Sequence, residues 1–304
     1  MDKCIFVLIP FIRMHIRKTT CLLLLLLLIA TVNGYSQQGP DSPTIGVMTY
    51  NIRYNDGSVG MFSWENRKVL LLKLIKDEKP ALLGMQEVVK EQLDYLSKEL
   101  PAYKSFGVGR EDGKQAGEYA PVFYDSNRFQ IMDSGYFWLS ATPGIPKLGW
   151  NASCIRIVTW VKLSDKLSGK QCWFFNTHFD HVGQRARRKS AVLLLHKISE
   201  ICGESDVIVT GDFNLSSKNI VYRRLTNKIN GLADTKKISE TGHSGPNGSF
   251  VGFPYMTRKH SDIDMILIRR GSARVLNHKT IDYEHSGTYP SDHLPVITTI
   301  LFSK

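Results

Sequence analysis

From residue 44 onward two apolar patterns alternate along the chain. TIGVMTYNI (44–52), ALLGMQEV (81–88), IRIVTWVKL (155–163), QCWFFNTHF (171–179) and VIVTGDF (207–213) are short, rich in apolar and β-branched residues, and end in polar ones. That is the pattern of buried strands. YKSFGVGR, EYAPVFYD and FQIMDSGYFWLS add strand-like segments to a β-rich middle, and DIDMILIRR (262–270) and LPVITTILF (294–302) close the chain. Helical spacing marks WENRKVLLLKLIKDEKP (64–80), which stops at Pro80, then KEQLDYLSKEL (90–100) and QRARRKSAVLLLHKISEI (184–201), with a short helix near 218–226. Strands outnumber helices, and the helices fall between groups of strands. The pattern predicts one α/β domain over 44–304, built as two sheets packed face to face with helices outside.

The beginning of the chain follows a different rule. CLLLLLLLIA (21–30) is an apolar run preceded by Arg17 and Lys18 and followed by small and polar residues. A basic flank, a short apolar run and a small-residue exit describe a secretory signal peptide. Spanning a bilayer takes about 20 apolar residues, so a stable membrane span is not expected. Residues 1–36 are read as the signal peptide, with Met14 a plausible true start, and 37–43 (QQGPDSP) as a linker. The expected location is therefore secreted or periplasmic, an uncleaved anchor being the alternative.

The formal net charge is +11, of which the leader contributes +3 and the remainder +8. A basic surface suits an anionic partner, and it is equally the ordinary sign of a solvated face. Outside the leader, Cys154, Cys172 and Cys202 are too few for a disulfide framework and form no C-x-x-C pair for zinc. Cys154 and Cys172 are open to pairing in an oxidising compartment, while buried free thiols are the simpler reading.

The candidate chemistry sits where apolar strands end. In GDFN, alternation sends Asp212 and Asn214 to one side and Phe213 to the core. Asn51 ends the first strand and Glu87 follows the second, His178 ends WFFN-T-H, and Asp292 and His293 lie just before the last strand. Asp264 interrupts the apolar run IDMILI, where an unpaired charge is costly and a histidine is the natural partner. Taken singly, each has a structural account: Asn51 as a turn cap, Glu87 as a helix start, His178 as a core histidine, GDFN as a turn. Their joint occurrence at strand ends predicts a polar cleft.

N-I-R, Q-E-V, T-H, G-D-F-N, a late I-D and S-D-H-L-P-V occur in the order found in the endonuclease/exonuclease/phosphatase superfamily, which this sequence resembles over about residues 45–302. The resemblance implies a four-layer α/β sandwich of the deoxyribonuclease I type, with two mostly antiparallel sheets flanked by helices. It implies a divalent-metal-dependent phosphoesterase. Glu87 would be the main metal ligand, with Asn51 and Asp292 completing or supporting the site; oxygen donors suit Mg²⁺ or Mn²⁺. Asp212 matches the residue that prepares the attacking water, and Asn214 a donor to the phosphoryl oxygens. His293, paired with Asp264, and His178, with Glu118 as its partner, match two phosphate-contacting histidines. Arg156 matches a phosphate-contacting arginine. With a carboxylate partner, each histidine is expected to have a raised pKa.

Thr210 and Met265 stand where inositol phosphatases carry Trp and Arg, which argues against that branch. The leading expectation is a secreted nuclease or phosphodiesterase acting on a phosphate ester, nucleic acid among the candidates. The alternatives are a sphingomyelinase-like phospholipid diesterase, a phosphomonoesterase, or a binding protein without catalysis. Trp138 reads as core and Trp150 as a candidate cleft wall. Asp180, His181, Arg185, Arg187 and Arg188, beside His178, divide between phosphate contact and a solvated helix start.

Overall fold

In the computed structural model the described residues are 43–303, except 59, 230, 254–260 and 286. The expected signal peptide lies outside them. Among the described residues no helix is long and apolar enough to cross a membrane.

The first sheet is assembled from β1 (Ile45–Asn51), β2 (Leu82–Gln86), β3 (Tyr103–Phe106), β4 (Val122–Asp125), β10 (His243–Ser244), β12 (Ala273–Thr280) and β13 (Val296–Phe302), in the order β10-β12-β13-β1-β2-β4-β3. The second contains β5 (Phe129–Trp138), β6 (Ile157–Asp165), β7 (Gln171–His178), β8 (Val207–Asp212), β9 (Leu232–Asp234) and β11 (Asp264–Arg269), in the order β5-β6-β7-β8-β11-β9. Pairing is antiparallel except for β1–β2, β7–β8 and β10–β12.

Alternation along each strand divides its side chains between two cores, which is why these strands are apolar on both faces. Ile45 and Val47 of β1 meet Ile208 of β8 and Ile266 of β11 between the sheets. Met48 and Tyr50 of β1 turn outward onto Leu71 and Ile75 of α1 (Trp64–Glu78) and Leu96 of α2 (Lys90–Glu99). On the other side Val207 and Val209 of β8 pack on Leu194 and Ile198 of α3 (Gln184–Cys202) and Leu225 of α4 (Ile220–Leu225). The layers run helix, sheet, sheet, helix, as expected. At its start α1 is capped by Ser63, whose hydroxyl accepts from Asn66 N; at its end Lys79 adopts φ 46° before Pro80.

The sequence reading omits β9, β10 and β12. β12 (ARVLNHKT) buries Ala273, Val275, His278 and Thr280, a set too polar to announce a buried face. The short helix α5 (Thr235–Ile238) is likewise unanticipated. The segment EYAPVFYD becomes a strand only from Val122. Cys154, Cys172 and Cys202 are free thiols, with Cys172 and Cys202 buried.

Register delivers the polar strand ends to one edge of both sheets. The parallel pairs β1–β2 and β7–β8 finish together, setting Asn51 beside Gln86 and His178 beside Asp212. β11 runs antiparallel to β8, so its first residue, Asp264, faces Asp212. β13 runs antiparallel to β1, which leaves the preceding turn, with Asp292 and His293, at the same edge.

Candidate active site

GDFN works as a turn rather than as a continued strand. Asp212 Oδ1 accepts the backbone N–H of Asn214 at 2.9 Å, and Asn214 takes a left-handed φ of 50°, which Asn tolerates. The turn drives Phe213 into the core against Phe179 and returns the Asn214 amide to the side of Asp212. Asn214 Nδ2 donates to the Phe179 carbonyl and lies 3.0 Å from His178 Nε2.

Asp212 Oδ2 is the focus of the site. It accepts from Asn51 Nδ2 at 3.0 Å and lies 3.4 Å from His178 Nε2 and 3.8 Å from His293 Nε2. The same Asn51 nitrogen is 2.9 Å from Glu87 Oε1, so one amide bridges two carboxylates. Glu87 itself holds φ 59°, and its other oxygen accepts from Tyr54 N at 3.3 Å. Burial, reinforced by the neighbouring Asp264 carboxylate, raises the Asp212 pKa to about 7. His293 Nδ1 stands 2.8 Å from Asp264 Oδ2. Burial alone would lower this imidazole, but Asp264, then Asp212 and Asp292, outweigh it and raise the pKa to about 10. The ring of Phe250 packs on His293 with centroids 4.9 Å apart.

Three expectations are revised by the geometry. Glu118 does not hydrogen-bond His178: their nearest atoms are 3.9 Å apart, and both Glu118 oxygens are taken by Arg110 at 2.7 Å. His178 is accordingly not raised; burial, then Arg156 and Arg110, hold its pKa well below the usual imidazole value. Asp292 faces Arg53 Nη1 at 2.9 Å instead of Glu87, and its other oxygen lies 3.3 Å from the Ser291 hydroxyl. Arg156 is buried beside His178, donating from Nη2 to His181 Nδ1 at 3.0 Å. Trp138 is core, its indole N–H donating to Arg110 O at 2.7 Å, while Trp150 is half-buried with φ 48°. Arg187 serves the turn after β7, donating to Asp180 O, whereas Arg185 and Arg188 are exposed.

Several residues support the site from behind. Arg67, on α1, is buried and donates to four backbone carbonyls, those of Ile52, Arg53, Phe62 and Pro290. It thereby ties the turn after Asn51 to the turn before His293. Beneath the site Gln86 donates to Asn176 Oδ1 at 2.6 Å, and Asn176 donates to the carbonyls of Met85 and Pro121, a polar seam through the inter-sheet core. Asp180 gathers the N–H groups of Ser153, Cys154, Val182 and Gly183, pinning the loop that carries Trp150. Arg67, Gln86 and Asn176 show no pattern beyond a single polar residue in an otherwise ordinary segment, while Asp180, grouped in the sequence with the basic cluster after His178, serves the loop instead of phosphate.

Ligand atoms of Glu87, His178 and Asp212 lie within 4.8 Å of one another, as do those of Asp212, Asp264 and His293. Carboxylates and imidazoles gathered at the strand-end edge of a two-sheet sandwich define a phosphoesterase-type scaffold. The endonuclease/exonuclease/phosphatase family model matches residues 48–293, and the chain belongs to that family. Its members are divalent-metal-dependent hydrolases of phosphate esters, and this chain is such an enzyme. An endonuclease/exonuclease/phosphatase from Bacteroides vulgatus is similar in structure, with TM-score 0.82 and 37% identity over 86% of this chain and 100% of that one. So is a mannosyl-6-phosphatase of Bacteroides thetaiotaomicron, with TM-score 0.78 and 31% identity over 85% of this chain and 100% of that one. An uncharacterized protein of Acanthamoeba polyphaga mimivirus is 29% identical over 250 residues, 78% of this chain and 92% of its own.

Proposed function

We propose that the chain is an exported phosphoesterase that uses Mg²⁺ or Mn²⁺ and hydrolyses its ester by in-line attack of water. The observation that carries this reading is the convergence of Glu87, Asn51, His178, His293 and Asn214 on the single carboxylate of Asp212. Glu87 and Asp212 share the neutral Asn51 amide, and neither forms an ion pair with Lys or Arg among the described residues, so their oxygens suit a hard cation. The cation would be held chiefly by Glu87, leaving Asp212 to the water, and would neutralise charge on the phosphoryl group.

Asp212, with its pKa near 7, takes a proton from the water as the new P–O bond forms. His293, held as an imidazolium by Asp264, faces the charge that develops on the phosphoryl or leaving oxygen. The ester P–O bond breaks, its electron pair stays on the leaving oxygen, and that oxygen takes a proton from the His293 imidazolium to become the alcohol; Asp212 then gives up its proton to solvent and His293 regains one. Asn214 and Asn51 hold Asp212 and His178 in place.

A phosphomonoester is a better fit than the nuclease reading on one observation: the 31% identical solved relative is a mannosyl-6-phosphatase. Export rests on the basic and apolar leader at 1–36. The test is a panel of p-nitrophenyl phosphate, bis-p-nitrophenyl phosphate, mannose 6-phosphate, plasmid DNA and sphingomyelin, each with Mg²⁺ and with chelator. Chelator-sensitive turnover of an ester is expected. Failure to cleave any of the panel, or cleavage indifferent to chelator, overturns the reading. Fusing residues 1–36 to a reporter and finding it retained in the cytoplasm would overturn export.

A further inference from the structure

On three central strands the residue two positions before the site residue is polar and wholly buried. Thr49 precedes Asn51 on β1, Asn176 precedes His178 on β7, and Thr210 precedes Asp212 on β8. Two-residue spacing puts each pair on the same face of its strand, turned toward the opposite sheet. One step further back on each strand, Val47, Phe174 and Ile208 belong to the apolar core between the sheets. A polar layer thus lies between that core and the site, and Gln86, the residue before Glu87, reaches into it.

The hydrogen bonds of this layer cross from sheet to sheet. Gln86 Nε2 donates to Asn176 Oδ1 at 2.6 Å and to Thr49 Oγ1 at 3.1 Å. Asn176 Nδ2 donates to the carbonyls of Met85 at 2.6 Å and Pro121 at 2.9 Å, both on the side of the first sheet. From its own sheet the Thr210 hydroxyl donates to Asn176 Oδ1 at 3.0 Å. The Asn176 amide therefore uses both of its N–H groups and both lone pairs of its oxygen. Gly84 on β2 leaves the room for this approach, since a Cβ there would collide with Thr210 Oγ1 and Asn176 Oδ1.

Stability alone does not account for such a layer. Gln86 Oε1 is buried without a partner, a cost that an apolar side chain of similar size would avoid. Apolar contact between two sheets is non-directional and tolerates small sliding, whereas a fully satisfied amide fixes distance and angle. The strands that it joins are those that deliver the two halves of the site: Asn51 and Glu87 from β1 and β2, His178 and Asp212 from β7 and β8. We infer that Asn176 is a positioning residue for the hydrolysis, pinned by Gln86, Met85 and Pro121 across the sheets and by Thr210 beside it, so that His178 and Asp212 stand at a fixed spacing from Asn51 and Glu87. This role rests on the phosphoesterase reading and adds to it residues that touch neither ester nor cation.

Gln86→Met cuts the cross-sheet bond and removes the unpaired Oε1 in one change, while Asn176 Oδ1 keeps Thr210. Without metal its melting temperature should lie within about 3 °C of wild type or above it. The stabilisation by added Mg²⁺ should persist, because Glu87 is intact. On the panel ester that wild type cleaves fastest, kcat should fall about 10- to 100-fold with KM changed less than about threefold, as expected when reacting groups are slightly misplaced. A second pair decides the matter even if Gln86→Met does not fold: Thr210→Ser keeps the hydroxyl and should hold kcat within about twofold, while Thr210→Val, equal in size without it, should lose about tenfold. Wild-type kcat in a folded Gln86→Met, or equal kcat in Thr210→Ser and Thr210→Val, overturns the assignment. A wild type that cleaves no ester of the panel defeats the phosphoesterase reading and this role with it, a result seen before any variant is made.

Discussion

The side-chain amide of Asn214 stands 3.0 Å from His178 Nε2, closer than the Asp212 carboxylate at 3.4 Å, and as a donor it favours the ring proton on Nδ1. The amide cannot be turned round, because the same nitrogen lies 3.0 Å from the Phe179 carbonyl, which only accepts. Its depressed pKa keeps His178 neutral, and the Asn214 donor favours the tautomer protonated on Nδ1.

Replacing Asn214 by Asp sets a carboxylate where the donor stands, drawing the ring proton to Nε2. Turnover should fall about 10²- to 10³-fold, the usual cost of removing one oriented donor from such a site. Nitrogen NMR of the His178 ring should show the Nδ1–H tautomer in wild type and the Nε2–H form or the imidazolium in Asn214→Asp. Unchanged turnover in the variant, or an Nε2–H ring in wild type, would contradict the assignment.

His293 behaves in the opposite sense. Its folded pKa, about 10, exceeds the unfolded value near 6.5 because burial, which lowers it, is outweighed by Asp264 together with Asp212 and Asp292. Protonation is thus tighter in the fold. The associated stability is complete below about pH 6.5 and disappears as pH rises toward 10. Asp264→Asn removes the counter-charge, so His293 should lose its proton at lower pH. The alkaline limb of the rate profile should move down by at least one pH unit, and the decline of melting temperature across that window should flatten. A variant whose alkaline limb coincides with wild type would show that His293 does not govern it.

Glu87 and Asp212 meet through one amide nitrogen of Asn51. Glu87→Gln keeps the shape and removes one charge. In wild type Mg²⁺ or Mn²⁺ at 100 times its Kd should stabilise the fold by about 2.7 kcal/mol. The variant should lose most of that stabilisation and its turnover while melting normally without metal. Calorimetry with and without cation measures both, and equal metal-induced shifts in the two proteins would remove Glu87 from the metal site.

The strands were legible because β1, β2, β7 and β8 are buried on both faces, which makes their apolar runs continuous and their polar ends conspicuous. Asn51, Glu87, His178 and Asp212 stood out for that reason. β12 was hidden because its inward positions include His278 and Thr280, and His278 is satisfied by His243, a partner 35 residues away. The preference of Glu118 for Arg110 was equally hidden. A sequence shows that a carboxylate lies near a histidine motif, but a competing guanidinium from the loop after β3 becomes visible only once that loop closes. Asp292 was misread for the same reason, its rival being Arg53.

Arg67 offers the most direct test of how the two halves of the site are held in register. Its Nε donates to Phe62 O at 2.8 Å, Nη1 to Ile52 O at 2.8 Å and Pro290 O at 2.6 Å, and Nη2 to Arg53 O at 3.2 Å. Ile52 and Arg53 directly follow Asn51, and Pro290 lies three positions before His293. A planar fork reaches carbonyls on three separate segments at once, which the single ammonium of lysine cannot do. Arg67→Lys should therefore leave buried carbonyls unpaired and cost about 2–3 kcal/mol, or about 5–10 °C in melting temperature for a domain of this size. If the residue only stabilised the fold, the variant assayed well below its melting point would work normally. If it sets the spacing of Asn51 and His293, kcat should fall at least tenfold with KM nearly unchanged, because the attacking water and the developing charge are then misaligned. Steady-state kinetics at low temperature, beside a melting curve, separates these outcomes; normal kcat in a folded Arg67→Lys would confine Arg67 to stability.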